Sequence, residues 1–391
     1  MRIVYVSSVP VFPTNGGNRA VIFAQIEYFR NLGHEVYFIL LTSRQIGSFD
    51  EDAHREFFGP NFIPLKRSRA GETLYLFQRW IKIIFRKIKN LSGQQTHLFD
   101  SADEIYYSPF DKMLKAIFRR IKPDVCWVPY VFFSRVFLTC GPQTLKVLDT
   151  HDSFSHQLAP EKESAGLKRA DIVIAIQDLE AAYFKSLLGP EAGRVRTLCL
   201  MRERSVAVEQ RRSAGATFFG SSFTANIASV QYLIEKVLPE VVRIVPGFKI
   251  FVAGSLCRDI PHQKSVVKLG LVKNVEDAYT DAPVLANAIT AGTGLKIKLI
   301  EALSLGVPAV STRLGVRGLP DQLLQGVIVV DDDDPIGFAR ALLTLHQNTE
   351  ARLALGRSAR RAAQQWVASQ KAELEAILAL TKRDEADRHS I

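Results

Sequence analysis

The sequence predicts an α/β protein of two successive domains, each with a parallel sheet covered by helices, and three observations carry that expectation. Strand-like apolar runs alternate with helical periodicity along the whole chain. Both halves open on a strand followed by small residues, Arg2–Ser7 before Gly16-Gly17 and Thr217–Gly220 before Ser221-Ser222. The 391 residues exceed one average core, and a polar, basic stretch at 201–214 separates the two series.

Composition narrows the function. With 47% hydrophobic and 23% charged residues the chain is globular rather than disordered. A net charge of +10 and a pI near 9.4 favour an acidic partner, whether a phosphorylated substrate, anionic lipid or nucleic acid. The four cysteines (Cys126, Cys140, Cys199, Cys257) are dispersed in a way that fits neither a zinc site nor a disulfide framework. The segment MRIVYVSSVPVF reads as a strand rather than a leader, and no run reaches the ~18 apolar residues of a membrane span. The expected location is cytoplasmic, at most on a membrane surface.

In the first half, Arg2–Ser7, the glycine loop, a helix from Asn18 to Phe29 and the strand Glu35–Leu41 form a βαβ unit. Glycines after a first strand stand at the carboxyl edge, where open α/β sheets meet ligands, although Gly16-Gly17-Asn18 is not a dinucleotide fingerprint. Leu74–Lys89 mixes Trp80 and aliphatics with Arg79, Lys82, Arg86, Lys87 and Lys89, so it is expected to lie on anionic lipid. The competing reading packs its apolar face on the core. Asp111–Arg120 is a second basic helix. Strands follow at Asp124–Val128 and Leu145–Leu148, the latter ending in Asp149-Thr150-His151-Asp152. A histidine among carboxylates just past a strand end suits proton handling, or a plain charged loop. Ala170–Ile176 and Val195–Leu200 are strands around the helix Asp178–Leu187.

In the second half, a long helix (Asn226–Ile244) and the strands Lys249–Ala253, Val266–Val272 and Val284–Ala288 lead to AGTGLKIKLIEALSLGVPAVST, Ala291–Thr312. Small residues enter a helix that Gly306 ends. Leu295, Leu299, Ala302 and Leu303 share an apolar stripe, whereas Gly294, Lys298 and Glu301 fall on another. The first-turn N–H groups and the helix dipole favour an anion there, Lys296 and Lys298 add charge, and Glu301 offers two oxygens to sugar hydroxyls. A nucleoside diphosphate fits this pattern, as does an ordinary surface helix. Asp331–Asp334, after the strand Val327–Val330, reads as a helix cap, and residues 350–380 as helix.

This organisation resembles the GT-B fold of nucleotide-sugar glycosyltransferases, two Rossmann-like domains facing a cleft. More narrowly it is similar to the retaining group 1 transferases of family four. The matching segments are the Gly16-Gly17 loop, LDTHD, ADIVIAIQDLEAAYF, FFGSS with Asn226, KLGLVKNVEDAY, and above all GTGLKIKLIEALSLGVPAVST. The resemblance implies an acceptor domain at 1–200, a linker at 201–214, a nucleotide-sugar domain at 215–355 and helices at 356–391 packing back towards the first domain. It further implies that Gly16 and Gly17 lie against the donor, that His151 stands beside the transferred sugar with Asp152 orienting it, and that Gly220 and Ser221 line the donor loop. Leu271 and Val272 would meet the nucleobase, Gly292, Thr293, Gly294, Leu295, Lys296 and Lys298 the phosphates, and Glu301 the ribose. The chain departs from the family where Thr293 replaces the first glutamate of the paired-glutamate signature, and where Ser221-Ser222-Phe223 lacks the usual Arg and Lys.

The implied activity is hexosyl transfer with retention, independent of a metal, from a UDP-, GDP- or dTDP-sugar serving as substrate rather than cofactor. The acceptor would be a polysaccharide, lipid-linked or glycolipid molecule in bacterial cell-surface glycan synthesis, lipopolysaccharide included. The rival readings are an epimerase of the same architecture and a non-catalytic nucleotide-sugar-binding subunit. A nucleic-acid partner is not expected, because the basic residues sit among bulky aliphatics rather than spaced for base stacking.

Overall fold

Alternation along β1 (Arg2–Ser7) sets up the first unit: Ile3 and Tyr5 enter one fully buried cluster, Val4 and Val6 another on the opposite face. A strand covered on both sides needs helices on both sides. The computed structural model describes residues 1–14, 16–42, 49–91, 97–204, 207–208, 213–292 and 294–386. They divide into two compact units, Met1–Met201 with Gln370–Ile391, and Arg202–Ser369.

Unit 1 holds a parallel sheet in the order β3-β2-β1-β4-β5-β6-β7. Its strands are β1, β2 (Glu35–Thr42), β3 (Phe62–Lys66), β4 (Val125–Pro129), β5 (Leu145–Asp149), β6 (Ile172–Ala175) and β7 (Val195–Thr197). Helices α1 (Gly17–Asn31), α2 (Glu51–Phe58), α3 (Arg69–Leu91), α4 (Phe110–Ile121), α5 (Pro160–Leu167) and α6 (Asp178–Leu188) connect them. Ile22, Ile26 and Phe29 of α1 join the Ile3–Tyr5 face, and Leu114, Phe118 and Phe184 of α4 and α6 join the other. Strand order reverses at β1, so the loops after β1 and β4 flank the point where such sheets bind ligands.

Unit 2 repeats the plan with the order β10-β9-β8-β11-β12-β13. The strands are β8 (Gly215–Phe219), β9 (Lys249–Ala253), β10 (Val266–Gly270), β11 (Leu285–Asn287), β12 (Ala309–Thr312) and β13 (Val327–Val330). Helices α7 (Thr224–Tyr232), α8 (Leu238–Ile244), α9 (Ile297–Ser304), α10 (Arg313–Val316) and α11 (Pro335–Gln347) cover it. Here the reversal falls between β8 and β11. The expected single helix at 226–244 is broken by a π turn at Leu233–Val237. Pro239 lacks an N–H and its ring clashes with the carbonyl four residues back, and the wider turn accommodates both. Asp334 caps α11 by accepting from the Gly337 N–H at 2.8 Å, while Asp331 pairs with Arg313 and Asp332 accepts from the Leu314 N–H at 3.0 Å.

One helix, α12 (Thr349–Ala386), stands where several were expected. Ala359, Ala362 and Trp366 are buried in its unit-2 part, and Leu374, Ile377 and Leu378 enter the Ile3–Tyr5 cluster of unit 1. Of the stretch expected as a linker, Met201 belongs to unit 1 and the described residues from Arg202 on belong to unit 2, where Val208 N–H donates to the Leu305 carbonyl at 2.9 Å.

Candidate functional site

In unit 2 the site grows from the three strand tips beside the reversal. Gly220 N–H donates to the Ala253 carbonyl at 2.9 Å and Gly254 N–H to the Gly270 carbonyl at 2.7 Å. Gly254 has φ +107°, and a side chain there would meet the Gly220 carbonyl. The Gly220–Ser221 loop is thereby held down on β9.

The lysines come to this loop from α9. The expected helix start near Gly294 is corrected to Ile297, because Gly292 (φ +107°) and Lys296 (φ −86°, ψ 79°) are not helical. The Ile297 N–H therefore turns back to the Leu295 carbonyl at 3.1 Å. Lys296 Nζ donates to the Gly294 carbonyl at 2.5 Å and to the Gly292 carbonyl at 3.4 Å, pinning the loop. Lys298 Nζ donates to the Phe219 carbonyl at 2.7 Å and to Asn226 Oδ1 at 3.1 Å. Asn226 in turn donates to Ser221 Oγ and the Ser221 carbonyl, each at 3.1 Å. Gly220, Ser221, Lys296, Lys298 and the Gly292–Leu295 loop are thus one cluster across the reversal between β8 and β11. Thr293 lies outside the described residues.

Burial, with a smaller push from Lys296, pulls the Lys298 ammonium down to about 8. Glu301, one turn further, is 16% exposed, and burial raises its carboxyl. Arg204 opposes that shift from 3.6 Å. Leu271 and Val272 follow β10 at the sheet edge, and Leu271 is 65% exposed.

In unit 1 the reversal carries a different set. Gly16 caps α1, and its carbonyl accepts from the Ala20 N–H at 2.9 Å, so the helix opens at Gly17, one residue earlier than expected. Asn18 Nδ2 donates to the Tyr130 hydroxyl at 2.9 Å, and the Tyr130 ring stacks on His151 at 5.1 Å. His151 has φ +56° and is buried, and its Nε2 lies 3.7 Å from Asp149 Oδ2 with no hydrogen-bond partner. A left-handed backbone in a non-glycine residue is uncommon and carries strain. Asp149 also accepts from Gln25 Nε2 at 2.8 Å, and Gln25 Oε1 accepts from the Tyr5 hydroxyl at 2.8 Å. Asp149 is thus a carboxylate beside the imidazole, and Asp152 Oδ1 accepts from the Ser153 N–H at 2.9 Å. The Gly16–Gly17 end of α1 and His151 share one network through Asn18 and Tyr130.

Sequence reading did not single out Tyr130 or Gln25. Gln25 lies inside an ordinary amphipathic helix, and nothing in Pro129-Tyr130-Val131 announces a φ of +67°.

Residues 215–348 match the family model described as glycosyl transferases group 1. No curated protein matches the chain in sequence. Similar solved structures include HepE of Anabaena in complex with UDP, at 12% identity and TM-score 0.67 over 97% of this chain and 100% of that one. Sucrose-phosphate synthase from Thermosynechococcus elongatus has 15% identity and TM-score 0.61 over 100% of both chains. The lipopolysaccharide outer core galactosyltransferase WaaB has 12% identity and TM-score 0.58 over 98% of this chain and 100% of that one. Residues 215–348 thus match the group 1 glycosyl transferase model, and the chain has the GT-B fold.

Proposed function

We propose that the protein is a retaining glycosyltransferase that takes a sugar from a nucleotide-sugar donor, with unit 2 holding the donor and unit 1 the acceptor. The observation that carries this reading is the convergence of Lys298, the Gly220–Ser221 loop and Glu301 at the β8–β11 reversal. A diphosphate there meets small-residue backbone, two ammonium groups and the start of α9, and the ribose meets Glu301. HepE, a similar fold, is described in complex with UDP, UDP and glucose, and UDP-glucose. We therefore assign a UDP-sugar as the first donor to test.

Transfer leaves negative charge on the departing diphosphate, so catalysis consists largely of stabilising that charge. The lysines do this on our reading without a divalent metal. An arriving phosphate favours the protonated form of Lys298 and opposes the effect of burial. On the acceptor side, our reading gives the buried Nε2 of His151, which has no hydrogen-bond partner, a sugar hydroxyl to bond.

The acceptor class we propose is a lipid-linked or polymeric glycan of the bacterial cell surface, met at a membrane face through α3. Leu76, Phe77, Trp80 and Ile83 of that helix are 39–60% exposed, beside Arg79 and Lys82. Among the described residues, no helix is long and apolar enough to cross a membrane.

The deciding experiment incubates the full chain with UDP- and GDP-sugars and lipid-linked glycan acceptors, following nucleoside diphosphate and product together. Stoichiometric release with a glycosylated acceptor is expected. Donor turnover to an isomeric nucleotide-sugar without acceptor establishes an epimerase instead, and binding without turnover a non-catalytic subunit.

A further inference from the structure

The stretch just before unit 2's first strand supplies a cation to the unit-2 cluster. Arg204 Nη1 donates to Glu276 Oε1 at 3.2 Å, and its Nη2 lies 3.6 Å from Glu301 Oε1. The Arg204 side chain is 20% exposed, so this contact is far less screened than a surface pair. A guanidinium fork spans two carboxylates in a way that an ammonium does not. Among the described residues, four groups face Glu301: Arg204 from this stretch, Glu276 and Tyr279 from the turn Val275–Tyr279, and Lys298 from its own helix. Burial raises the Glu301 carboxyl most, Arg204 opposes it, Glu276 adds to the rise, and Lys298 opposes it last. Lys298 is already donating to the Phe219 carbonyl and Asn226. The Tyr279 hydroxyl is buried without a hydrogen-bond partner.

Resting on the reading that Glu301 receives the donor's ribose, we propose that Arg204 is a positioning residue of the donor site, bridging Glu276 and Glu301 so that Glu301 stays ionised and keeps one oxygen for the ribose diol. An ionised carboxylate accepts from both hydroxyls of a diol, whereas a protonated one has lost part of that capacity. Arg204 acts on the sugar only through Glu301. Its removal therefore appears as a changed pH dependence, not as a uniform loss.

The test is calorimetric titration of the full chain with UDP and GDP between pH 5.5 and 7.5. The 2′-deoxy form of whichever nucleotide binds is titrated alongside. Wild-type affinity is expected to vary by less than about threefold across this range, with the ribo form preferred throughout. In Arg204→Met the acid limb moves up into the range, affinity falls towards about tenfold per pH unit below it, and the preference for ribose collapses in parallel. Arg204→Lys restores part of the wild-type profile. Arg204→Gln keeps the polar side chain but not the charge, so it is expected to move the limb up as Arg204→Met does. It carries the test even where Arg204→Met does not fold.

A flat profile for Arg204→Met or Arg204→Gln while Glu301→Ala loses affinity overturns the role of Arg204 and leaves the donor site standing. Unchanged affinity in Glu301→Ala, or no binding of either nucleotide to wild type, overturns the donor-site reading and the role of Arg204 with it.

Discussion

Around β1, β4 and β5 of unit 1, the polar groups at the carboxyl edge are an imidazole, a carboxylate and a phenol, linked through Asn18 and Gln25. Around β8 and β11 of unit 2 they are two ammonium groups bonded to loop carbonyls and a carboxylate faced by a guanidinium. The two sheets reverse strand order in the same way, so topology does not account for the difference. The side chains that each α/β series carries past its strand ends do. The comparison teaches that one architecture carries different chemistry at its two strand-end edges; on the proposed function, one serves an anionic ligand and the other a sugar hydroxyl.

The sharpest way to break that comparison is to remove the central group on each side. His151→Ala is expected to lower kcat about 100-fold, as loss of an acid–base group does, with donor affinity within about threefold of wild type. Glu301→Ala is expected to weaken UDP binding about 30-fold, the scale of lost hydrogen bonds to a charged group. Single-turnover kinetics and calorimetry separate the two. If His151→Ala weakens donor binding as much as Glu301→Ala does, the division of labour is wrong.

A smaller effect sharpens the unit-2 side. Lys298→Met is expected to weaken donor binding about tenfold and to lower Tm by several degrees, because the Phe219 carbonyl and Asn226 each lose a donor. In wild type, the ammonium is lost as pH rises through about 8, so donor affinity is expected to decline above that pH and to hold below it. A plateau extending to pH 9.5 in wild type argues that phosphate does not meet this lysine. Chelation of divalent metal is expected to leave turnover unchanged.

The smallest effect concerns α3. Replacing Phe77 and Trp80 with Ser is expected to reduce co-sedimentation with anionic vesicles about threefold, with turnover on a water-soluble acceptor unaffected. Equal sedimentation of both proteins puts the acceptor elsewhere than on a bilayer.

Much of this was open to a reader of the sequence alone. Alternation in Arg2–Ser7 and the apolar stripe of Leu299, Ala302 and Leu303 report burial directly, because period and hydrophobicity are local properties. Residue types marked Lys298, Glu301 and His151 for the same reason. Partners were not local. The φ of +56° at His151, with Asp149 Oδ2 3.7 Å from its Nε2, has no signature in the residue pattern. Gln25 reaches Asp149 across 124 residues of sequence, and Arg204 reaches Glu301 across nearly a hundred. The start of α9 slipped from Gly294 to Ile297 because Lys296 satisfies the loop carbonyls with its own side chain.

What the sequence determined by itself is the succession of strands and helices and the chemical inventory at each strand end. Which carboxylate meets which cation, and which oxygen is left for a ligand, only the tertiary structure decided. Those pairings arise when distant strand tips are brought side by side, and the energy of burying a charge depends on the neighbour it finds there.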